Sequence, residues 1–327
     1  MLLLGIDIGG TKCAVSMGTV DLYNGTIEIR AKKAFPTENE RGPFRVIDEI
    51  CEKIDTILTE NAVDISDIKG IGISCGGPLD SKKGIIQSPP NLKGWDDINI
   101  VKILSDKYPV PVRLQNDANA CALAEWRFGA AKGSENAVFL TFGTGMGAGL
   151  ILNGRLYSGT NDMAGEVGHI RLSEDGAEGY GKRGSFEGFC SGGGIARTAC
   201  EMAYRFLQKG VTTGLFTSCD DINEKNLSAK NVAEAMQKGD PFARAVYETC
   251  AEKLGLGLSI LIDILNPEVI VIGSIYERNT EFFKERIEKV IEKEALPLSA
   301  AVCEIRPAKL GDSIGDIAAL AVAAGGF

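Results

Sequence analysis

The chain has 327 residues, 44% hydrophobic and 24% charged, which excludes a disordered polypeptide and sets a prior of two domains at about 150 residues each. Lys and Arg number 35 against 44 Asp and Glu, a net charge of −9, so there is no overall basic field for nucleic acid or an anionic membrane. Nine cysteines, an odd number with no C-x-x-C pair, argue against a disulfide framework and for reduced thiols in the cytoplasm, and no apolar run reaches the roughly 18 residues of a membrane span.

The opening stretch MLLLGIDIGG has no basic n-region and reads as a core strand, not a signal peptide. Strands are predicted at 2–8 and 12–18, followed by the hairpin dipeptide Asn24-Gly25 and a third strand at 26–33. An amphipathic helix at 44–59 puts Ile47, Ile50, Ile54, Ile57 and Leu58 on one face. A buried strand at 68–74 ends in Gly76-Gly77-Pro78, residues 81–96 read as irregular, and a short strand at 111–115 runs into Asn116-Asp117 and a helix to about 128.

The first pattern then recurs about 135 residues later, with strands at 137–142, 148–152 and 155–157 and the turn Asn153-Gly154. Helices are predicted at 193–208, 230–238, 241–265, 280–294 and 314–324, with strands at 268–273 and 301–306. Alternating strands and helices place the chain in the α/β class, and the duplicated hairpin predicts two related domains facing one another across a cleft. The expected division is 1–117 plus 312–327, and 118–311.

Four segments carry candidate chemistry. In LGIDIGGTK a strand delivers Asp7 and then turns through Gly9, Gly10, Thr11 and Lys12. Backbone N–H groups of such a turn cup a phosphate, Lys12 adds a point charge, and Asp7 can hold Mg²⁺ through water; a plain hairpin with a surface Asp is the rival reading. TFGTGMGAG places four Gly in the seven residues from Gly143 to Gly149, more than a hairpin needs, which suggests close approach to a ligand or else a wide loop. It is neither a Walker A loop nor a Rossmann fingerprint. Asp117, at a strand-to-helix switch, is a general-base candidate or an ordinary N-cap. GEVGH holds the chain's one histidine, His169, beside Glu166, and no G-x-S-x-G elbow accompanies it.

In that order, LGIDIGGTK, PPNLKGW, QNDANACALAEW, LTFGTGMGAG and GEVGH resemble the ROK family of bacterial sugar kinases and sugar-responsive repressors. The likeness is strong from residue 2 to about 198, and weaker through DILNPEVIVIG and LGDSIGDIAALA. The resemblance implies the two-domain actin-like, RNase H-like ATPase fold and ATP- and Mg²⁺-dependent phosphorylation of a hexose hydroxyl, the 6-hydroxyl of glucose first. Mannose, fructose, an N-acetylhexosamine or a glucoside are the other sugars, and another nucleotide in place of ATP stays open. By resemblance Asp117 is the general base. Gly76, Gly77, Asn91, Asn116, Glu166, His169 and Glu187 face the sugar. Gly9, Gly10, Thr11, Lys12, Gly143, Thr144 and Gly145 meet the phosphates, Gly193 and Gly273 lie near adenosine, and Asp7 lies near Mg²⁺. A homodimer is also implied.

The chain departs from the family where many members bind zinc through three cysteines after the Gly-His dipeptide. The matching stretch Glu178–Glu187 keeps the Gly frame and the final Glu but has no thiolate, so no zinc is expected and packing of Tyr180 and Phe186 is expected to hold the loop. A sugar-sensing regulator is the alternative function. The first core strand starts at residue 2, which leaves the sequence as given no helix-turn-helix ahead of it, so binding to nucleic acid is not expected.

Overall fold

The computed structural model describes residues 1–326. The chain packs as two compact units. The first comprises residues 1–139, 149–164 and the chain from Ala308 onward; the second comprises 140–148 and 165–307.

The first unit is built on β1 (Leu2–Ile8), β2 (Lys12–Asp21), β3 (Thr26–Pro36), β4 (Ile68–Cys75) and β5 (Val112–Asn116), in the order β3-β2-β1-β4-β5. The hairpin strands β1, β2 and β3 pair antiparallel, whereas β4 lies parallel to both β1 and β5. Both parallel strands therefore end at the same edge as β1, and that edge carries Asp7, Cys75 and Asn116. Helix α1 (Pro43–Glu60) starts on a proline whose missing N–H costs nothing there. Its buried stripe Val46, Ile47, Ile50, Ile54 and Ile57 joins Ile6, Ile8, Val15, Ile71 and Ile73 in one core. Each such side chain contributes about 1.5–3 kcal/mol by leaving water.

Helix α2 (Ile100–Lys107) is missing from the sequence reading; Asn99 caps it by accepting from the Lys102 N–H. Helix α3 (Asp117–Phe128) follows β5 directly. The last helix, Ile314–Ala324, lies so tightly on the sheet that a Cβ at Gly72 would stand 2.1 Å from the Ala319 carbonyl oxygen. Only glycine permits that approach.

The second sheet comprises β6 (Ala137–Phe142), β7 (Met146–Leu152), β8 (Arg155–Leu156), β9 (Val269–Ile272) and β10 (Glu304–Pro307), in the order β8-β7-β6-β9-β10. Counted along the chain, its strands are arranged third-second-first-fourth-fifth, as in the first sheet, so the repeat seen in the sequence extends to topology. At its hairpin Asn153 and Gly154 both take positive φ, 52° and 68°. The expected strand at 301–306 begins only at Glu304, because the chain before it forms a helical turn over Pro297–Ala300.

Helices α4 (Gly192–Gln208), α5 (Ala229–Gln237), α6 (Pro241–Leu265) and α7 (Thr280–Glu294) belong to the second unit. An aromatic cluster anchors it: Phe283 packs against Phe142, Tyr247, Tyr276 and Phe282 with centroids 5.7–5.8 Å apart.

Candidate active site

In the first unit the turn after β1 is held from within. The Gly9 N–H donates to the Lys12 carbonyl at 3.1 Å. Thr37, fully buried after β3, donates its hydroxyl to the Gly9 carbonyl at 2.6 Å and its N–H to the Thr11 carbonyl at 2.9 Å. The turn's carbonyls are thus committed to protein, while Thr11 and Lys12 remain exposed. That arrangement leaves N–H groups and one cation to face an anion.

Asn91 meets this turn directly: a Cβ at Gly10 would lie 2.5 Å from the Asn91 carbonyl oxygen. Gly76 and Gly77 lie at the end of β4 beside Asn116 and Asp117. A Cβ at Gly77 would be 3.1 Å from Asn116 Nδ2, and one at Gly76 would be 4.0 Å from Asp117 Oδ2. Asn116, not Asp117, is the N-cap of α3, accepting from the Ala118 and Asn119 N–H groups. Its orientation is fixed in turn, since Gln115 Oε1 accepts from both the Asn116 N–H and Asn119 Nδ2.

Relieved of the capping role, Asp117 keeps an accessible carboxylate in a recess dense with protein atoms. Burial pushes its carboxyl above the usual range, opposed by the Ala118 N–H that donates to Oδ1 at 2.8 Å. Asp7 behaves likewise. Burial, then the Asp316 and Asp117 carboxylates, push it up to about 6, while Lys12 and Lys32 pull it down. Lys32 is paired with the buried Asp316 at 2.5 Å.

Asp7 suits a Mg²⁺ that keeps most of its waters. Such an ion needs only one or two protein carboxylates alongside its phosphates, and its charge offsets the desolvation that holds Asp7 up. Among the described residues no group of three or more His, Cys, Asp or Glu forms a protein metal cage.

In the second unit, Glu187 Oε2 accepts the Met146 N–H at 3.1 Å, within reach of the Gly143–Gly145 turn. That turn is closed by the Gly143 N–H donating to the Gly145 carbonyl, and the Gly192 N–H at the start of α4 donates to the Gly143 carbonyl at 2.7 Å. Gly193 follows on α4, with the Arg197 guanidinium 3.1 Å from where its Cβ would be. Gly273 donates its N–H to the Leu140 carbonyl at the end of β9.

The segment GEVGH lies along β7, where the Ala148 N–H donates to the Gly165 carbonyl at 2.8 Å. Gly165 takes φ +88°, and a Cβ there would be 2.0 Å from the Ala148 carbonyl oxygen. Glu166 and His169 are presented exposed from this segment, and Thr144 is exposed on its turn. The structure therefore groups Asp7, Gly9, Gly10, Thr11, Lys12, Gly76, Gly77, Asn91, Asn116 and Asp117 in the first unit. It places Gly143, Thr144, Gly145, Glu166, His169, Glu187, Gly193 and Gly273 in the second.

Thr37, Asn39 and Asp316 escaped the sequence reading because they reach the site only through tertiary contact. One expectation is corrected. Tyr180 does not pack the loop but is 74% exposed. Tyr180 and Gly181 both have positive φ, 43° and 71°, between the paired residues Glu178–Gly179 and Lys182–Arg183, so the tyrosine sits at a hairpin tip. Phe186 is fully buried as expected. The Lys182 ammonium donates to the His169 carbonyl at 2.7 Å, and the Tyr180 and His169 rings stand edge-on with centroids 6.5 Å apart.

The comparisons with known proteins agree with one another. A glucokinase of Halalkalibacterium halodurans is 34% identical over 318 residues, covering 96% of this chain and 92% of its own. A xylose repressor of Caldicellulosiruptor bescii is 30% identical over 246 residues, covering 75% of this chain and 60% of the repressor. Among solved structures, a ROK family glucokinase from Streptomyces griseus in complex with glucose and AMPPNP superposes with a TM-score of 0.75 at 29% identity over the full length of both chains. The fold is thus the two-domain actin-like ATPase fold. The ROK family profile matches residues 3–325, and the chain belongs to the ROK family.

Proposed function

We propose that this chain, an ATP-dependent sugar kinase, transfers the γ-phosphoryl group of ATP to the 6-hydroxyl of a hexose, glucose first, with Asp117 as general base. The observation that carries the reading is the state of Asp117. Its carboxyl is accessible, free of the capping role that Asn116 fills, and held above the usual carboxylate range by burial, which favours proton uptake.

Phosphoryl transfer is mostly positioning and charge stabilisation. Asp117 accepts the hydroxyl proton. Asn91, Asn116, Gly76 and Gly77 in the first unit, and Glu166, His169 and Glu187 in the second, are the proposed sugar contacts. Gly9, Gly10, Thr11 and Lys12, with Gly143, Thr144 and Gly145, are the proposed phosphate contacts, and Gly193 and Gly273 the adenosine contacts. Asp7 would hold Mg²⁺ through water. When bound, that ion supplies positive charge to the phosphate oxygens. The H. halodurans relative named a glucokinase, and the S. griseus glucokinase solved with glucose and AMPPNP, support the sugar and the nucleotide.

All nine cysteines are free, in keeping with the cytoplasm, and no described helix is long and apolar enough to cross a membrane. The homodimer that the family resemblance implies belongs to the same proposal and is tested by sedimentation velocity. The deciding experiment is an ATP- and Mg²⁺-coupled assay over glucose, mannose, fructose, N-acetylated hexosamines and a glucoside. Turnover of glucose at C6, identified by product NMR, is expected. Phosphorylation of none of them, together with sequence-selective DNA binding, would move the chain to the regulators.

A further inference from the structure

The short turn Asn39–Arg41 links β3 to α1 in the first unit. Asn39 Nδ2 donates to the Gly10 carbonyl at 3.2 Å and to the Asn91 carbonyl at 3.1 Å. A primary amide has two N–H donors, and both are spent on these two oxygens. One oxygen belongs to the phosphate turn, the other to the segment assigned to the sugar. The two backbones already touch, since a Cβ at Gly10 would meet the Asn91 carbonyl oxygen at 2.5 Å. Asn39 Nδ2 thus bridges the two carbonyls where these backbones meet.

The orientation of the amide is settled by chemistry: rotated by half a turn, Oδ1 would face two carbonyl oxygens and no donor. As it stands, Oδ1 is buried and has no protein hydrogen-bond partner. The use of the side chain lies in what Nδ2 joins.

We propose that Asn39 is a positioning residue for phosphoryl transfer, its amide fastening the phosphate turn at Gly10 to the sugar segment at Asn91. Donor and acceptor are thereby held at a fixed separation. The inference rests on the kinase reading above and deepens it. A residue that joins two subsites acts when both are filled. Its loss should leave each ligand's own affinity nearly intact and depress the turnover that depends on their mutual placement, where about 1 Å of misplacement costs about 100-fold.

The test is Asn39→Leu, close in volume and without donors, beside the parent protein. The expected result is a kcat about 10- to 100-fold lower, with the dissociation constants of AMPPNP alone and of sugar alone each within about threefold of the parent. A kcat within threefold overturns the proposal. So does a rise in both dissociation constants that accounts for the whole loss of activity, because that is the signature of a merely structural residue. Should Asn39→Leu fail to fold, Asn39→Ser keeps one donor on a smaller side chain and must show the same split, and a full kcat there overturns the proposal equally. A parent protein that phosphorylates no sugar overturns the kinase reading and this inference together, whereas an active parent with equally active variants overturns only the role of Asn39.

Discussion

Glu187 Oε2 accepts the Met146 backbone N–H at 3.1 Å, so one carboxylate serves both the Gly143–Gly145 turn and the place assigned to a sugar hydroxyl. In the proposed site the other oxygen, Oε1, is the one left for the sugar. Glu187→Gln keeps one carbonyl acceptor for Met146 and loses the charge. It should raise the sugar KM by about tenfold, the equivalent of one charge-assisted hydrogen bond, with the ATP KM within threefold. Glu187→Ala also frees the turn and should raise both. Steady-state kinetics on the two variants separate the roles, and equal effects on the two substrates in Glu187→Gln would refute the division.

Asp117→Ala removes the proposed base while Asn116 continues to cap α3, so the helix start survives. The expected outcome is a kcat lower by 10²–10⁴, with sugar affinity kept within about tenfold. Rapid-quench kinetics and equilibrium sugar titration measure the two quantities. Near-normal kcat in a folded variant would remove Asp117 from the mechanism.

The sequence makes legible what local rules govern. Asn153-Gly154 predicted a turn because few other pairs accept two positive φ angles, and the repeat of hairpins survives as the same strand order in both sheets. The residues around Asp117 were legible as a strand-to-helix switch, but the capping role was ambiguous until Asn116 was seen to accept the Ala118 and Asn119 N–H groups. Asn39 and Thr37 were not legible. Their partners lie 24 to 52 residues away, beyond the reach of any periodicity. Tyr180 was misread for a related reason: an aromatic residue in a gapped motif suggests packing, and nothing in its spacing reveals a positive φ.

Glu125 was passed over as one polar residue in a helix, yet it is fully buried. Its Oε1 accepts the Lys309 and Leu310 N–H groups at 2.9 and 3.0 Å, and its Oε2 accepts the Ala130 N–H at 2.6 Å. It therefore ties α3 to the chain that leads into the last helix. Glu125→Ala takes a shared acceptor away from three part-buried N–H groups and should destabilise the fold by about 1–3 kcal/mol. Glu125→Gln keeps an acceptor but turns an amide N–H toward one donor, and should cost less. Denaturant unfolding of the three proteins gives the order parent, Gln, Ala; equal stability of all three would show that water replaces the carboxylate.

The loop that carries zinc in many relatives has Glu178, Tyr180, Lys182 and Arg183 in this chain, and its hairpin is closed by backbone pairing of Glu178 with Arg183. Cys190, the cysteine nearest in sequence, is fully buried, and its thiol donates to the Cys250 carbonyl at 3.5 Å. Neither feature suits a tetrahedral ion. Elemental analysis of the purified protein should find well under one zinc per chain, and prolonged chelation should leave sugar turnover unchanged once Mg²⁺ is restored. One tightly held zinc per chain would require ligands from elsewhere.

Asp7 gives the protein a pH signature. Its folded pKa, about 6, stands above its ordinary 3.8, so folding favours the protonated carboxyl. Stability from this group is complete below about pH 4 and is lost as pH rises through about 6. Without nucleotide or Mg²⁺, the parent should lose on the order of 2–3 kcal/mol relative to Asp7→Asn between pH 4 and 7. The gap should flatten above pH 7. Asp117 is raised in the same direction and its carboxylate pushes Asp7 up, so the difference between the two proteins reports the coupled pair and not Asp7 alone. Thermal unfolding of the pair across this range is the measurement, and a constant gap would mean that Asp7 carries its charge at little cost. Adding Mg²⁺ and AMPPNP at pH 7 should recover part of the loss in the parent and little in Asp7→Asn, because only the parent has a carboxylate for the cation to offset.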